Sequence, residues 1–373
     1  MKKKILMGLL SSTLLLTACG NTEESPEENN PAEDPTEDVT DEDTGAEETN
    51  DSSEEVDEAE ESSAATIKTL YTAPHGDKAF AATFVVMDGD TIANVVIDEY
   101  QFTDSEEVTG VPNSDAQFGE GSAEGMTLIS KLENDDFYSE NMEQAGSTVS
   151  YGDNLAAIED FAKGKTIAEI EETIDELDGL GEDDDVADVV SGATLVDTSG
   201  YLQSIVDTTN DGIEFIGAEE ADLTNAELSY SLQAPHGDQS FGVVSVLHEG
   251  DTVLAAYVDE FQFVDPADFD GVPNSDAGFG ENYNEDVVLA SKMQNDEAYS
   301  AMMTEFAEAT NTYAENMQAI IDFAVGSSVE DIEATIAELD GLGEDDDITD
   351  VVSGATFADT DGYLQAIVNT IKE

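Results

Sequence analysis

Two segments, Ala79–Met87 and Thr91–Phe102, are dominated by apolar, strand-forming positions. Both are rich in Val, Ile, Phe and Thr, and Asp88-Gly89 between them predicts a tight hairpin. The same pattern returns later, with Glu249-Gly250-Asp251 at the turn. Downstream the pattern changes: Glu124–Met142 and Asn154–Lys163 place apolar residues at helical spacing. Thr166-Ile167-Ala168-Glu169 is a capping box that opens a helix ending at Asp178-Gly179. A last short helix is expected over Tyr201–Val206, capped by Thr198 or Ser199. Strands followed by helices, without βαβ alternation, predict an α+β fold.

The pattern is written twice. Ala73–Asp77 recurs at Ala234–Asp238, Gly110–Asp115 at Gly271–Asp276, Glu176–Asp185 at Glu338–Asp347, and Asp188–Thr194 at Asp350–Thr356. Each unit is the size of an autonomous domain and too long for a solenoid repeat. The expected division is 67–213 and 225–373, joined by a connection at 214–224.

The N-terminus has another character. Lys2, Lys3 and Lys4 precede an apolar run from Ile5 to Leu16, and Leu16-Thr17-Ala18-Cys19 follows. This is a secretory signal over 1–18, too short to be a stable membrane span. The single cysteine of the chain, Cys19, stands where cleavage would make it the new N-terminus. The order resembles the lipobox of bacterial lipoproteins, which implies lipidation of Cys19. Residues 19–66 then carry 20 Asp or Glu, no Lys or Arg and no aromatic. Such a segment cannot bury enough surface to offset its conformational entropy, so a disordered tether is expected. Fully extended, it would reach about 150 Å.

Composition narrows the function. The 373 residues hold 89 Asp+Glu against 10 Lys+Arg, a formal net charge of −79. A polyanion without a basic face is not a nucleic-acid binder. Anionic lipid headgroups would repel it, which leaves the lipid anchor as its only membrane attachment. With one cysteine and three histidines, an intrachain disulfide is impossible and a dedicated zinc site is disfavoured.

Ser191-Gly192-Ala193-Thr194 and Ser353-Gly354-Ala355-Thr356 each lie between an acidic loop and a short helix. Gly and Ala let a bulky group approach the backbone, and a Thr hydroxyl before a helix can be esterified. The N–H groups of that helix could hold a phosphate. With Asp188 and Asp350 three residues before each Ser, the motif resembles the attachment sequence of the FMN-binding domain family. In that family FMN is joined to the motif's Thr through a phosphoester, installed from FAD by a Mg-dependent flavin transferase outside the cytoplasm. The resemblance implies two covalent FMN groups, on Thr194 and Thr356, in two tandem FMN-binding domains. Where the family often has a second Ser or Thr two positions later, this chain has Val196 and Ala358.

The whole arrangement is similar to the flavin lipoproteins of Gram-positive extracellular electron transfer. It implies an electron carrier, not an enzyme, on the outer face of the cell membrane. Its donor would be a membrane quinol or NADH dehydrogenase, and its acceptors ferric iron or flavin shuttles. The acidic field predicts a low reduction potential that rises with salt.

Several residues are placed by this resemblance with two readings each. Lys131 and Lys292, the only basic positions the units share, are either cations beside the flavin or helix-surface lysines paired to carboxylates such as Asp135. His75 and His236 either face a flavin or bond backbone within their Pro-His-Gly turns. Tyr201 and Tyr363, like Tyr138/Tyr299 and Phe118/Phe279, either stack on the flavin ring or belong to the core. Asn113 and Asn274 either bond the flavin edge or shape a turn. The acidic loops Asp178–Asp185 and Asp340–Asp347 lack the ligand spacing of an EF-hand; Mg²⁺ binding during modification stays open. From other classes stand a non-redox adhesin or solute-binding lipoprotein, and a hydrolase using Ser191 or Thr194.

Overall fold

The computed structural model describes residues 64–373 apart from 145–146, 182–183, 220, 308 and 344–345. The signal, Cys19 and all but the last residues of the acidic segment lie outside the described residues. Among them the architecture is mixed α/β, with two antiparallel sheets and eight α-helices.

The first sheet has the order β4-β3-β2-β1-β5, from β1 (Thr66–Thr72), β2 (Ala79–Asp88), β3 (Thr91–Thr103), β4 (Thr127–Ser130) and β5 (Ile213–Ile216). Its helices are α1 (Asp135–Gln144), α2 (Tyr151–Ala162), α3 (Ile167–Asp178) and α4 (Thr198–Asp211). The second sheet, β6-β7-β8-β9, is built from β6 (Glu227–Gln233), β7 (Ser240–Glu249), β8 (Thr252–Val264) and β9 (Val288–Ser291). It is followed by α5 (Asp296–Ala307), α6 (Tyr313–Ala324), α7 (Val329–Leu339) and α8 (Thr360–Lys372).

Strand alternation assigns the two faces of β2. Phe80, Ala82, Phe84 and Val86 share one core with residues of β7 and β8. Ala81 and Val85 share another with Ile158, Ile170 and Ile205 of α2, α3 and α4. The two sheets therefore meet across an aromatic layer, and helices cover their outer faces. Phe80 lies against Phe261 and Phe279, and Phe118 against Phe241 and Phe263, with ring centroids 5.1–5.6 Å apart. Burying each such ring contributes about 1.5–3 kcal/mol.

The hairpin pairs as its pattern requires, with Phe84 opposite Val96. The capping box at Thr166 and Glu169 is present, and α3 ends at Asp178. Three expectations are corrected. The segment expected to be helical from Glu124 is strand β4 first, with Leu128 paired to Phe102 and buried; the helix begins only at Asp135. The final helix is longer, Thr198–Asp211. Its N-cap position is Asp197, without a side-chain cap bond, while Thr198 is already helical and its hydroxyl donates to the Leu195 carbonyl at 2.7 Å. The connection at 214–224 opens as a strand: Phe215 pairs with Ile67, so β5 closes the edge of the first sheet.

Candidate functional site

The Thr motif is a turn pressed against helix α2. A 3₁₀ segment, Val186–Asp188, leads into buried Val190, exposed Ser191 and Gly192, buried Ala193 and exposed Thr194. Gly192 has φ +95°, and a Cβ there would lie 3.1 Å from Ala157 on α2. Only glycine makes that turn at that distance. Asn154, also on α2 and fully buried, holds the next residue: its Oδ1 accepts from the Thr194 amide at 2.6 Å and from the Thr194 hydroxyl at 3.1 Å. The second half repeats this. Gly354 has φ +90° over Ala319, and Asn316 Oδ1 accepts from the Thr356 amide at 2.6 Å and hydroxyl at 3.0 Å.

Sequence reasoning missed Asn154 and Asn316. Their signal was a polar residue on the buried face of a helix, recurring at matched positions of both units. Asp188 and Asp350 close the 3₁₀ segments and are exposed, like Ser353 and Gly354; Ala355 is buried.

The histidine turns come to the same place. Gly200 on α4 would put a Cβ 2.3 Å from the Pro74 carbonyl, and Gly362 on α8 would do the same at Pro235. Both glycines let the Pro-His-Gly turn lie directly on the helix. His75 Nε2 is thereby 3.7 Å from Asp197 Oδ2, and His236 Nδ1 is 3.5 Å from Asp359 Oδ2. Each of these aspartates is three residues after the motif Thr.

Beside Thr356 the surface opens into a cleft of about 400 Å³, lined among others by His236, Tyr299, Tyr313, Phe357 and Tyr363. Aromatic walls, a few polar groups and this volume are ordinary for a small-molecule site. Larger depressions of about 540 and 730 Å³ exist, but acidic and small polar residues line much of them and neither includes a motif Thr.

Lys131 and Lys292 are not surface lysines. Lys131 follows β4, is fully buried, and donates to Glu99 Oε2 at 2.7 Å; Lys292 donates to Glu260 Oε2 at 2.8 Å. The pairing to Asp135 is corrected, because these ammonium groups meet Glu99 and Glu260 on the sheets, over the Tyr138 and Tyr299 rings of α1 and α5. The Tyr151 and Tyr201 hydroxyls donate to the same Glu99 Oε2, at 3.0 and 2.7 Å, leaving its buried Oε1 without a partner, and the Tyr363 hydroxyl donates to Glu260 at 2.7 Å. Burial alone would draw both lysines down. The charge of Glu99 or Glu260, with smaller contributions from Tyr138 or Tyr299, outweighs it and holds them above the ordinary lysine range. Burial would likewise raise Glu260, but Lys292 holds it low. Lys292 lies 4.8 Å from the Tyr299 ring centre and 5.9 Å from that of Tyr313, beneath the cleft lining.

Tyr201 and Tyr363 are core residues anchored by these hydroxyls, although Tyr363 also lines the cleft. Phe118 and Phe279 lie in the layer between the sheets. Asn113 and Asn274 lie away from the Thr motifs of their own halves. They adopt left-handed φ of 65° and 64° and donate to backbone carbonyls of the opposite half.

No family model, curated protein or solved structure matches the chain. In the acidic loops, Asp184 and Asp346 accept from the amides of Gly181 and Gly343, and Asp185 and Asp347 cap the 3₁₀ segments. Among the described residues no group of three or more His, Cys, Asp or Glu is arranged to hold a metal ion. Nor is any described helix long and apolar enough to cross a membrane.

Proposed function

We propose that this chain is a lipid-anchored electron carrier that holds FMN covalently on Thr194 and Thr356, in two tandem copies of one FMN-binding domain. The observation that carries the reading is the repeated placement of an exposed Thr hydroxyl. A fully buried Asn pins it in each half, and in the second half it lies on the rim of an aromatic cleft. The residues present fit the group. The hydroxyls are exposed, and beside Thr356 the tyrosine and phenylalanine walls suit a flat heteroaromatic ring.

Attachment would be a phosphoryl transfer in which the Thr194 or Thr356 oxygen replaces AMP on the FMN phosphorus of FAD. Asn154 and Asn316 orient the hydroxyl but, as amides, take no proton; the base belongs to the flavin transferase. When bound, FMN supplies one-electron transfer. The chain contributes position: the Gly turn fixes the attachment point, the aromatic wall sets the ring's surroundings, and His236 with Asp359 forms a polar rim. A lipid on Cys19 and the acidic segment would keep both sites outside the membrane within reach of a quinol or NADH dehydrogenase. Ferric iron or dissolved flavins would take the electrons.

Co-expression with a flavin transferase followed by a denaturing gel tests this. A fluorescent band that survives denaturation, and disappears only in the Thr194→Ala/Thr356→Ala double variant, is expected. A dark wild-type band with active transferase would turn the reading toward a non-redox binding lipoprotein.

A further inference from the structure

The two halves exchange one contact in both directions. Asn113 Nδ2 donates to the carbonyls of Gly237 and Ser240, at 2.9 and 2.7 Å, which bracket the turn after His236. Asn274 Nδ2 donates to the carbonyls of Gly76 and Ala79, at 3.0 and 2.7 Å, around the turn after His75. Backbone bonds repeat the exchange: the Phe118 amide donates to Asp238, and the Phe279 amide to Asp77, each at 2.8 Å. Both asparagines hold a left-handed backbone, in which the Asn113 carbonyl accepts from Ala116 and the Asn274 carbonyl from Ala277. A non-glycine residue at positive φ is uncommon, and its recurrence at two matched sites with the same amide contacts marks a built feature.

The clamped turns are the ones beside the motif threonines. His236 lines the cleft with Thr356 and faces Asp359, and His75 faces Asp197. We infer that each Thr site is completed by the opposite half: Asn113 is a positioning residue for the Thr356 site, and Asn274 for the Thr194 site. The part of this that concerns FMN rests on the function proposed above. The coupling is unequal. The Ser240 hydroxyl donates to Glu260 Oε1 at 2.8 Å, and Glu260 in turn takes the Tyr363 hydroxyl of the cleft wall. Asn113 thus reaches the cleft through two routes, whereas Ala79, at the matching position, has no hydroxyl to offer Asn274 a second one.

The test uses Asn113→Gly and Asn274→Gly in the full chain. Glycine accepts the left-handed backbone and removes the side chain with its amide donor. The chain has three histidines, so NMR of the ring Cε1–Hε1 groups before flavin loading gives three cross-peaks. Asn113→Gly should move the His236 peak and leave His75 in place; Asn274→Gly should do the reverse. With limiting transferase, site-resolved peptide mass should show loading at Thr356 slowed about tenfold in Asn113→Gly and Thr194 unaffected. The mirror effect in Asn274→Gly should be smaller. Immobile peaks, a shift in the variant's own half, or unchanged loading at Thr356 would overturn the inference. Crossed peak shifts in a protein whose wild-type form takes no FMN on either Thr would support the clamp and defeat the proposed function instead.

Discussion

A Thr side chain with its amide and hydroxyl on one acceptor has little freedom, and the acceptor is the residue to remove. Asn316→Ala leaves the Thr356 amide without its partner, an omission that costs about 1–3 kcal/mol when the group is shielded from water. A lower urea midpoint, with fluorescence loading lost at Thr356 and retained at Thr194, is the expected outcome; normal loading at Thr356 would remove Asn316 from the site. The buried Lys131–Glu99 pair gives a second expectation. Lys131→Met strands a carboxylate that is fully enclosed, and should destabilise by about 3–5 kcal/mol. Adding Glu99→Gln should recover most of it, because Gln still accepts from Tyr151 and Tyr201. Urea unfolding of the three variants decides; equal losses in single and double variants would refute the pairing argument. At this scale the motif Thr, Gly192 and Asp188 were legible as a local string. Asn154 was not, since a polar residue on a helical stripe reads as a gap in it, and Lys131 was misplaced because its partner lies 32 residues earlier on another strand.

Among elements, the hairpins were plain because β2 and β3 are rich in strand-forming residues and flank a turn dipeptide. Strands β4 and β9 were hidden by brevity: four residues such as Thr127–Ser130 satisfy helical and extended spacing alike. Strand β5 was hidden by position, in a stretch that looked like a junction. The face-to-face contact of the sheets could not be read at all, because both faces of β2 are apolar and nothing local says that one of them meets a second sheet. That contact buries a carboxylate. Asp98 of β3 accepts from the Tyr230 hydroxyl of β6 at 3.1 Å, and burial pushes its carboxyl up to about 6. Burial also lifts Glu159 of α2, to about 7. A raised carboxyl favours the folded state while protonated, so its contribution is complete below the unfolded pKa near 4 and is lost as pH rises through 6. Stability should therefore increase on acidification from pH 7.5 to 5, by about 1.4 kcal/mol through Asp98, with the rest gained between pH 5 and 4. Asp98→Asn should flatten that slope between pH 4 and 6. Chemical unfolding across this range checks it, and a wild-type slope of the opposite sign would count against the buried carboxylate.

For the molecule as a whole, the shared aromatic layer and the crossed asparagines tie the two halves into one unit, so two attachment points would travel together. The full chain carries a net charge of −79. A charge of this sign would repel nucleic acid and anionic lipid headgroups, and leaves the Cys19 lipid as the proposed route to the membrane. The central claim is that both motif threonines are attachment points. It is tested most directly by the intact mass of protein produced with its flavin transferase, beside Thr194→Ala and Thr356→Ala. Two FMN-sized increments in the wild type, and one in each variant, are predicted; an unmodified mass in all three, with the transferase active on a control substrate, would contradict it.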